Sequence, residues 1–241
     1  MWYKLKKATM RVNGVEKQIR PSGWGGWQPW VNTVAYRPLT SASTVNDQTN
    51  NWHDWTNNWV AFGTYAWVDC GYFDRSSYIS VPDSPELRWW DAYTISLWYN
   101  YDGNGDTAID FYSKWKDTDT GRMLNRVILG SNPYLQTTMC ASNEVGGYMS
   151  GSVISWWHNW LVVRSAPNTL LYIDGQLAFS WTQTSSYTNT NDVLIWAGTN
   201  WAATAYYVSW YMSNVIIENV ARTAQEVSDY YNQTKWNYWI S

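Results

Sequence analysis

The stretch Trp157-His158-Asn159-Trp160-Leu161-Val162-Val163-Arg164-Ser165-Ala166-Pro167-Asn168-Thr169-Leu170-Leu171-Tyr172-Ile173-Asp174-Gly175-Gln176-Leu177-Ala178-Phe179 holds three apolar runs separated by two turn signals. Ala166–Asn168 breaks the first run. Asp174-Gly175 is among the strongest two-residue hairpin turns, because both central positions must accept positive φ. The segment reads as a three-stranded antiparallel meander.

Around it, the chain's 241 residues suit one large β domain. We expect that domain at 31–241, preceded by a short N-terminal unit at 1–30. Residues 8–12 and 15–19 flank Asn13-Gly14 and read as a hairpin around a type I′ turn. This unit is basic: Lys4, Lys6, Lys7, Arg11, Lys17 and Arg20 are six of the 16 basic residues, opposed only by Glu16. It is either a solvated edge hairpin, whose lysines discourage edge-to-edge pairing, or a docking arm for an acidic partner. Pro21–Pro29 has the punctuation of a linker.

A formal charge of −3 argues against a nucleic-acid partner, for which a basic domain is expected. No run of about 18 apolar residues is present, so no membrane span is expected. Met1–Lys7 is positively charged but has no apolar core of a signal peptide. The chain is then either a mature form or a protein delivered by another route. Cys70 and Cys140 make one possible disulfide or two free thiols.

Residues 101–119 are the most carboxylate-dense part of the chain. Asp102, Asn104, Asp106 and Asp110 fall at alternating positions that could offer oxygen ligands to calcium. Thr107 stands where a calcium loop would place its tight-turn glycine, and no bidentate acid closes the series, so a solvated acidic turn competes with that reading. With Tyr101 and Tyr112 beside them, these residues form the candidate ligand rim. Near the C-terminus, Thr223-Ala224-Gln225-Glu226 is a capping box that opens a short helix to about Tyr231.

Four segments, in order, resemble the laminin-G-like branch of the concanavalin-A-like sandwiches. Phe73–Pro82 is similar to its "Phe-Asp-Gly-x-x-Tyr-Ile-x-Val-Pro" strand pair, and Thr94–Trp98 to its "Thr-Ile-Ser-x-Trp" strand. Trp157-His158 with Tyr172–Gly175 resembles its Trp-His start and "Tyr-Ile-Asp-Gly" turn, and Met212–Tyr231 its last strand and helix. The resemblance covers about residues 33–235. It implies an all-β, antiparallel jelly-roll sandwich with one short C-terminal helix and an N-terminal β-hairpin arm. Arg75 replaces the family's glycine after Phe-Asp, so a positive φ is expected there.

Within that fold, the pairs Ile79/Val81, Ile95/Leu97, Leu161/Val163, Leu171/Ile173 and Val215/Ile217 are each spaced by two. Each pair therefore shares one strand face, and we expect all ten in the core. Val193–Ile195 reads as a late core strand, and residues 145–151 as a Gly-rich turn region.

Twenty-one Trp against 15 Gly is an unusual balance for a turn-rich sandwich. Trp52, Trp59, Trp115, Trp196 and Trp210 stand where the resembling family writes Gly, whereas Trp98, and Trp157 or Trp160, stand where it writes Trp. One reading makes the first five UGA codons that the source reads as glycine. The other is an aromatic platform for stacking sugars.

No paired carboxylates on a strand face suit glycoside hydrolysis, the nearest pair being Asp117 and Asp119. His53 and His158 are isolated, so no nucleophilic triad can be assembled. The resemblance implies a non-catalytic domain with a glycan or protein ligand at the sandwich rim. We rank a virion-associated structural or adhesive protein first, docked to its scaffold through the N-terminal arm. A cell-surface carbohydrate-binding adhesin comes second, and a glycoside hydrolase third.

Overall fold

A computed structural model of the chain describes residues 8–12, 15–19, 32–40, 49, 55–74, 76–88, 91–101, 108–114, 123–128, 134–139, 144–148, 156–182, 190–195, 198–200, 203–205, 210–238 and 240. Its strands run β1 Ala8–Val12, β2 Val15–Ile19, β3 Thr33–Arg37, β4 Thr56–Asn58, β5 Ala61–Tyr65, β6 Val68–Phe73, β7 Tyr78–Val81, β8 Ala92–Tyr101, β9 Ala108–Lys114 and β10 Met123–Ile128. They continue as β11 Tyr134–Met139, β12 Glu144–Tyr148, β13 Trp157–Ser165, β14 Asn168–Ile173, β15 Gln176–Thr182, β16 Val193–Ile195, β17 Gly198–Asn200, β18 Ala203–Ala205 and β19 Trp210–Glu218. Helix α1, Ala224–Thr234, follows.

Two antiparallel sheets carry the sandwich. One has the order β12-β11-β10-β9-β16-β7-β4, and the other β15-β14-β13-β8-β19-β6-β5 with β3 added on β19. The fold expected from the sequence is the fold observed. Strands β13, β14 and β15 form the meander, and Asp174 and Gly175 turn between Ile173 and Gln176 at φ 50° and 73°. The β1–β2 hairpin pairs Val12 with Val15 across Asn13-Gly14. One expectation is corrected: the Gly-rich stretch after residue 143 is not a turn at its start, since Glu144–Tyr148 pairs with β11 as a strand. Arg75 lies outside the described residues.

All ten expected core residues are buried. Eight lie between the sheets, with Tyr93, Tyr99, Trp160, Val162, Trp210 and Met212. Leu161 and Val163 occupy the opposite face of β13, where Tyr172 and Ile216 join them beneath Val227 and Tyr230 of α1. Strands β8 and β13 are thus buried on both faces. The helix forms there because its capping box is complete: Thr223 Oγ1 accepts from Glu226 N, and Glu226 Oε2 accepts from Thr223 N at 2.8 Å. Its register places Val227, Tyr230 and Thr234 on the buried side.

The helix N-terminus is held by charge as well. Arg222 Nε donates to Glu218 Oε2 at 2.7 Å and its Nη1 to Glu226 Oε1 at 3.1 Å, while Thr33 Oγ1 donates to Glu218 Oε1. The C-terminal turn then covers Trp98, which stacks on Tyr238 with ring centroids 3.8 Å apart. Gly175 also serves this layer, because a Cβ there would stand 2.8 Å from Tyr231 Cβ.

Candidate functional site

The Trp-His and Asp-Gly signals of the sequence meet as a clamp. His158 Nδ1 lies 2.7 Å from Asp174 Oδ2, Asn159 N donates to Asp174 Oδ1, and Asp174 N donates back to Asn159 O. Tyr99 is the aromatic neighbour of the imidazole. The pair fixes the β14–β15 turn against the start of β13, a structural task that explains the spacing of the two motifs.

The expected rim divides. Tyr101 ends β8 opposite Trp210. Asp102, Asn104 and Asp106 lie outside the described residues. Asp110 and Tyr112 are both buried in β9. The cause is a bulge. Asn125 pairs with Tyr112 and Arg126 with Asp110, which leaves Phe111 as an extra residue and turns both aromatic rings into the core. Among the described residues, no group of three or more His, Cys, Asp or Glu is arranged to hold a metal ion. Cys70 is a buried free thiol, and burial pushes its pKa up to about 12.

A second bulge builds a cleft. In β19, Ser213 pairs with Trp98 but Ile216 pairs with Ser96, so one residue is extra and Asn214 takes φ 51°. Asparagine tolerates that conformation better than most side chains. The bulge restores the inward face, so Met212 before it and Val215 after it both reach the core. It also aims the Asn214 amide at the outer face of the sheet.

There, Tyr36 Oη donates to Asn214 Oδ1 at 3.0 Å, and Asn214 Nδ2 donates to Tyr238 Oη. Ser213 Oγ lies 3.2 Å from both Pro38 O and Asp69 O. A cleft of about 280 Å³, open to solvent, lies over these residues and is bordered by Trp67, Thr234 and Asn237. Burial pushes the Tyr36 phenol up to about 12 and the Tyr238 phenol well above its usual value. Both are neutral hydroxyls at physiological pH. Among the described residues, Asp69 is the cleft's one carboxylate, and no Lys, Arg or His lines it. Such a surface offers paired donors and acceptors beside aromatic rings, and suits a neutral polyhydroxylated ligand better than a phosphate.

Sequence reasoning missed this cleft, because its residues come from β3, the β5–β6 turn, the β19 bulge and the C-terminal turn. The one local signal was Ser213-Asn214 inside an otherwise apolar strand, a polar pair at a bulge.

Of the five tryptophans expected at glycine positions, Trp52, Trp115 and Trp196 lie outside the described residues. Trp59 has φ 68° and is 85% exposed. Trp210 is corrected: it is fully buried in β19, with its ring 5.3 Å from that of Tyr99 and 5.9 Å from that of Phe111. Trp98, Trp157 and Trp160 are buried, as befits positions where the resembling family writes Trp.

No curated protein matches the chain in sequence. Solved structures do match in fold. Domain 4 of AbnA, a GH43 extracellular arabinanase from Geobacillus stearothermophilus, in complex with arabinotriose, is 17% identical at a TM-score of 0.63; the match covers 82% of this chain and 97% of that one. The binding domain of Paraclostridial Mosquitocidal Protein 1 is 14% identical at a TM-score of 0.65, over 83% of this chain and 52% of that one. The binding domain of Botulinum Neurotoxin DC, in complex with SialylT, is 10% identical at a TM-score of 0.66, over 84% and 51%. The chain therefore spans about half the length of these toxin binding domains. Residues 73–228, well over half the chain, match one family directly. With that match and this fold, the chain belongs to the concanavalin A-like lectin/glucanases superfamily.

Proposed function

We propose that the chain is a non-catalytic glycan-binding module whose ligand docks in the cleft at the Asn214 bulge. The observation that carries this reading is the cleft's chemistry: phenol, amide and hydroxyl groups around Tyr36, Asn214 and Tyr238, beside the carboxylate of Asp69. Glycosidic cleavage by the two-carboxylate route needs a second acid, and among the described residues the cleft's lining supplies none. The arabinotriose and SialylT complexes of two fold relatives support a sugar ligand by analogy.

The test is calorimetric titration with arabinotriose, guided by a glycan array, with a sialylated oligosaccharide as the anionic contrast. Asn214→Gly keeps the positive φ and deletes the amide, and a loss of tenfold or more in affinity is expected for whichever glycan binds. Wild-type protein that binds no glycan, or a variant that binds as well as wild type, would refute the cleft.

The acidic stretch after Tyr101 is a separate calcium site in this reading, with Asp102, Asn104, Asp106 and Asp110 as its ligands. The basic unit 1–30 is a docking arm that carries the sandwich 31–241 on a virion or cell-surface scaffold. What supports it is the clustering of six basic residues against one acid. Cleavage by trace protease should fall within Pro21–Pro29. Replacing Lys4, Lys6, Lys7 and Lys17 by Glu should release the protein from the particle or surface fraction that carries it, and retention would refute the arm.

A further inference from the structure

We infer that Trp59, Trp67 and Trp156 stand at glycine positions, encoded by UGA codons that the source of this gene reads as glycine. Their backbones have φ 68°, 67° and 73°, in the left-handed region that bulky L side chains rarely adopt. Seven non-glycine residues of the described chain have positive φ, and three of the seven are Trp.

One turn supplies an internal comparison. Asp174-Gly175 fills a two-residue hairpin at φ 50° and 73°, and Ala66-Trp67 fills the β5–β6 hairpin at φ 47° and 67°. The two turns share a shape that uses glycine at its second position. Trp67 stands where Gly175 stands.

The other polar residues with positive φ have side chains that compensate for the conformation. Asp174 accepts from Asn159 N, and Asn214 bridges Tyr36 and Tyr238. The indoles of Trp59, Trp67 and Trp156 instead stand 85%, 84% and 54% exposed. An exposed indole gains little burial to offset a backbone that glycine adopts freely.

Elsewhere the chain treats tryptophan as a core residue. Trp55, Trp98, Trp157, Trp160 and Trp210 are each 5% exposed or less, and none has positive φ. The left-handed backbones thus fall only among the exposed tryptophans, whereas the buried five, the partly buried Trp181 and the exposed Trp236 have none. A genetic code explains such a division, because UGA is read as tryptophan under some codes and as glycine under others. Glycine codons written UGA would then be added to the genuine UGG tryptophans.

A sugar-stacking platform accounts for the same indoles less well. Trp59 and Trp67 lie beyond the two ends of the five-residue strand β5, which itself spans about 16 Å at 3.3 Å per residue. Trp156 precedes β13, and β8, β19 and β6 lie between it and β5. The three tryptophans thus stand at separate parts of the sheet, and of the three Trp67 borders the Asn214 cleft.

The test begins with the coding DNA. TGA is expected at 59, 67 and 156, with TGG at the buried Trp98 and Trp160 as internal controls; TGG at any of the three overturns the inference for that position. Peptide mass spectrometry on protein made in its own cells should find glycine at all three, and tryptophan found there would overturn it. In recombinant protein, the triple variant Trp59→Gly, Trp67→Gly, Trp156→Gly should melt at a higher temperature than the tryptophan form. A lower melting temperature would show that the indoles stabilise the fold and would overturn the assignment.

Discussion

Replacing Trp98 by Ala should strip the C-terminal layer from the sandwich. Trp98 is fully buried on the outer face of β8, stacked on Tyr238 at 9° between planes and near Tyr231 at 5.8 Å, beside Val68, Cys70 and Trp157. Truncating a buried Trp costs about 3–5 kcal/mol. Loss of a well-formed aromatic stack adds about 0.5–1.5 kcal/mol beyond area. The sum, about 3.5–6.5 kcal/mol, rivals the roughly 5–15 kcal/mol that holds a whole domain folded. Guanidinium titration followed by circular dichroism should show the midpoint fall, and amide exchange should accelerate first across 224–238. Trp236, 62% exposed in the same turn, is the control, and Trp236→Ala should move stability by no more than about 0.5 kcal/mol. A Trp98→Ala cost below about 1 kcal/mol, or exchange in 224–238 no faster than wild type, would refute the claim that this stack holds the layer.

Asp174→Ala should cost about 2–4 kcal/mol in chemical denaturation, since it abandons the Asn159 N–H and places a Cβ residue without compensation at φ 50°. Asp174→Gly should cost about 1 kcal/mol less, because only the hydrogen bonds are lost. Burial pushes the Glu226 carboxyl up, but hydrogen bonds from Thr223 and the Arg222 guanidinium outweigh it and hold the group below its usual value. That stability is present above the unfolded carboxylate value of about 4.3 and is lost as pH falls through the lower folded value. Urea midpoints measured from pH 6 to pH 3 should therefore fall less steeply for Glu226→Gln than for wild type, and parallel profiles would contradict the assignment. Titration with calcium chloride should release or absorb heat in wild type and not in the Asp102→Asn, Asp106→Asn double variant; a silent wild type would remove calcium from the rim.

Local rules carried much of the fold. Asp174-Gly175, Asn13-Gly14 and the Thr223–Glu226 box are complete within a few residues, so each could be read directly. Spacing by two showed that Leu161 and Val163 share a face, but not which face, because only the docked helix makes the outer surface of β13 a second core. Bulges were illegible for the same kind of reason. An extra residue at Phe111 or Asn214 shows itself only against a partner strand, and those two residues decide that Tyr112 faces inward and that the cleft exists. Trp210 was misread because a family pattern at one position carries no information about burial. Trp67 and Trp156 were overlooked, although Ala66-Trp67 sits between two strand-like runs where a two-residue hairpin needs glycine second.

The place of β19 has a consequence for synthesis. It joins β8 to β6 and also carries β3, yet it follows every other described strand in the chain. On the ribosome, β3, β5 and β6 emerge first and β8 with β13–β15 later, and nothing in the observed pairing links the two groups until residue 218 is made. At about 5–20 residues per second, β6 waits on the order of ten seconds after Phe73 for its neighbour. Throughout that interval the nascent chain presents two unpaired strand edges that are central in the finished sheet. Such edges favour pairing with other chains, so the yield of folded protein should depend on translation speed and on chaperones that shield strands.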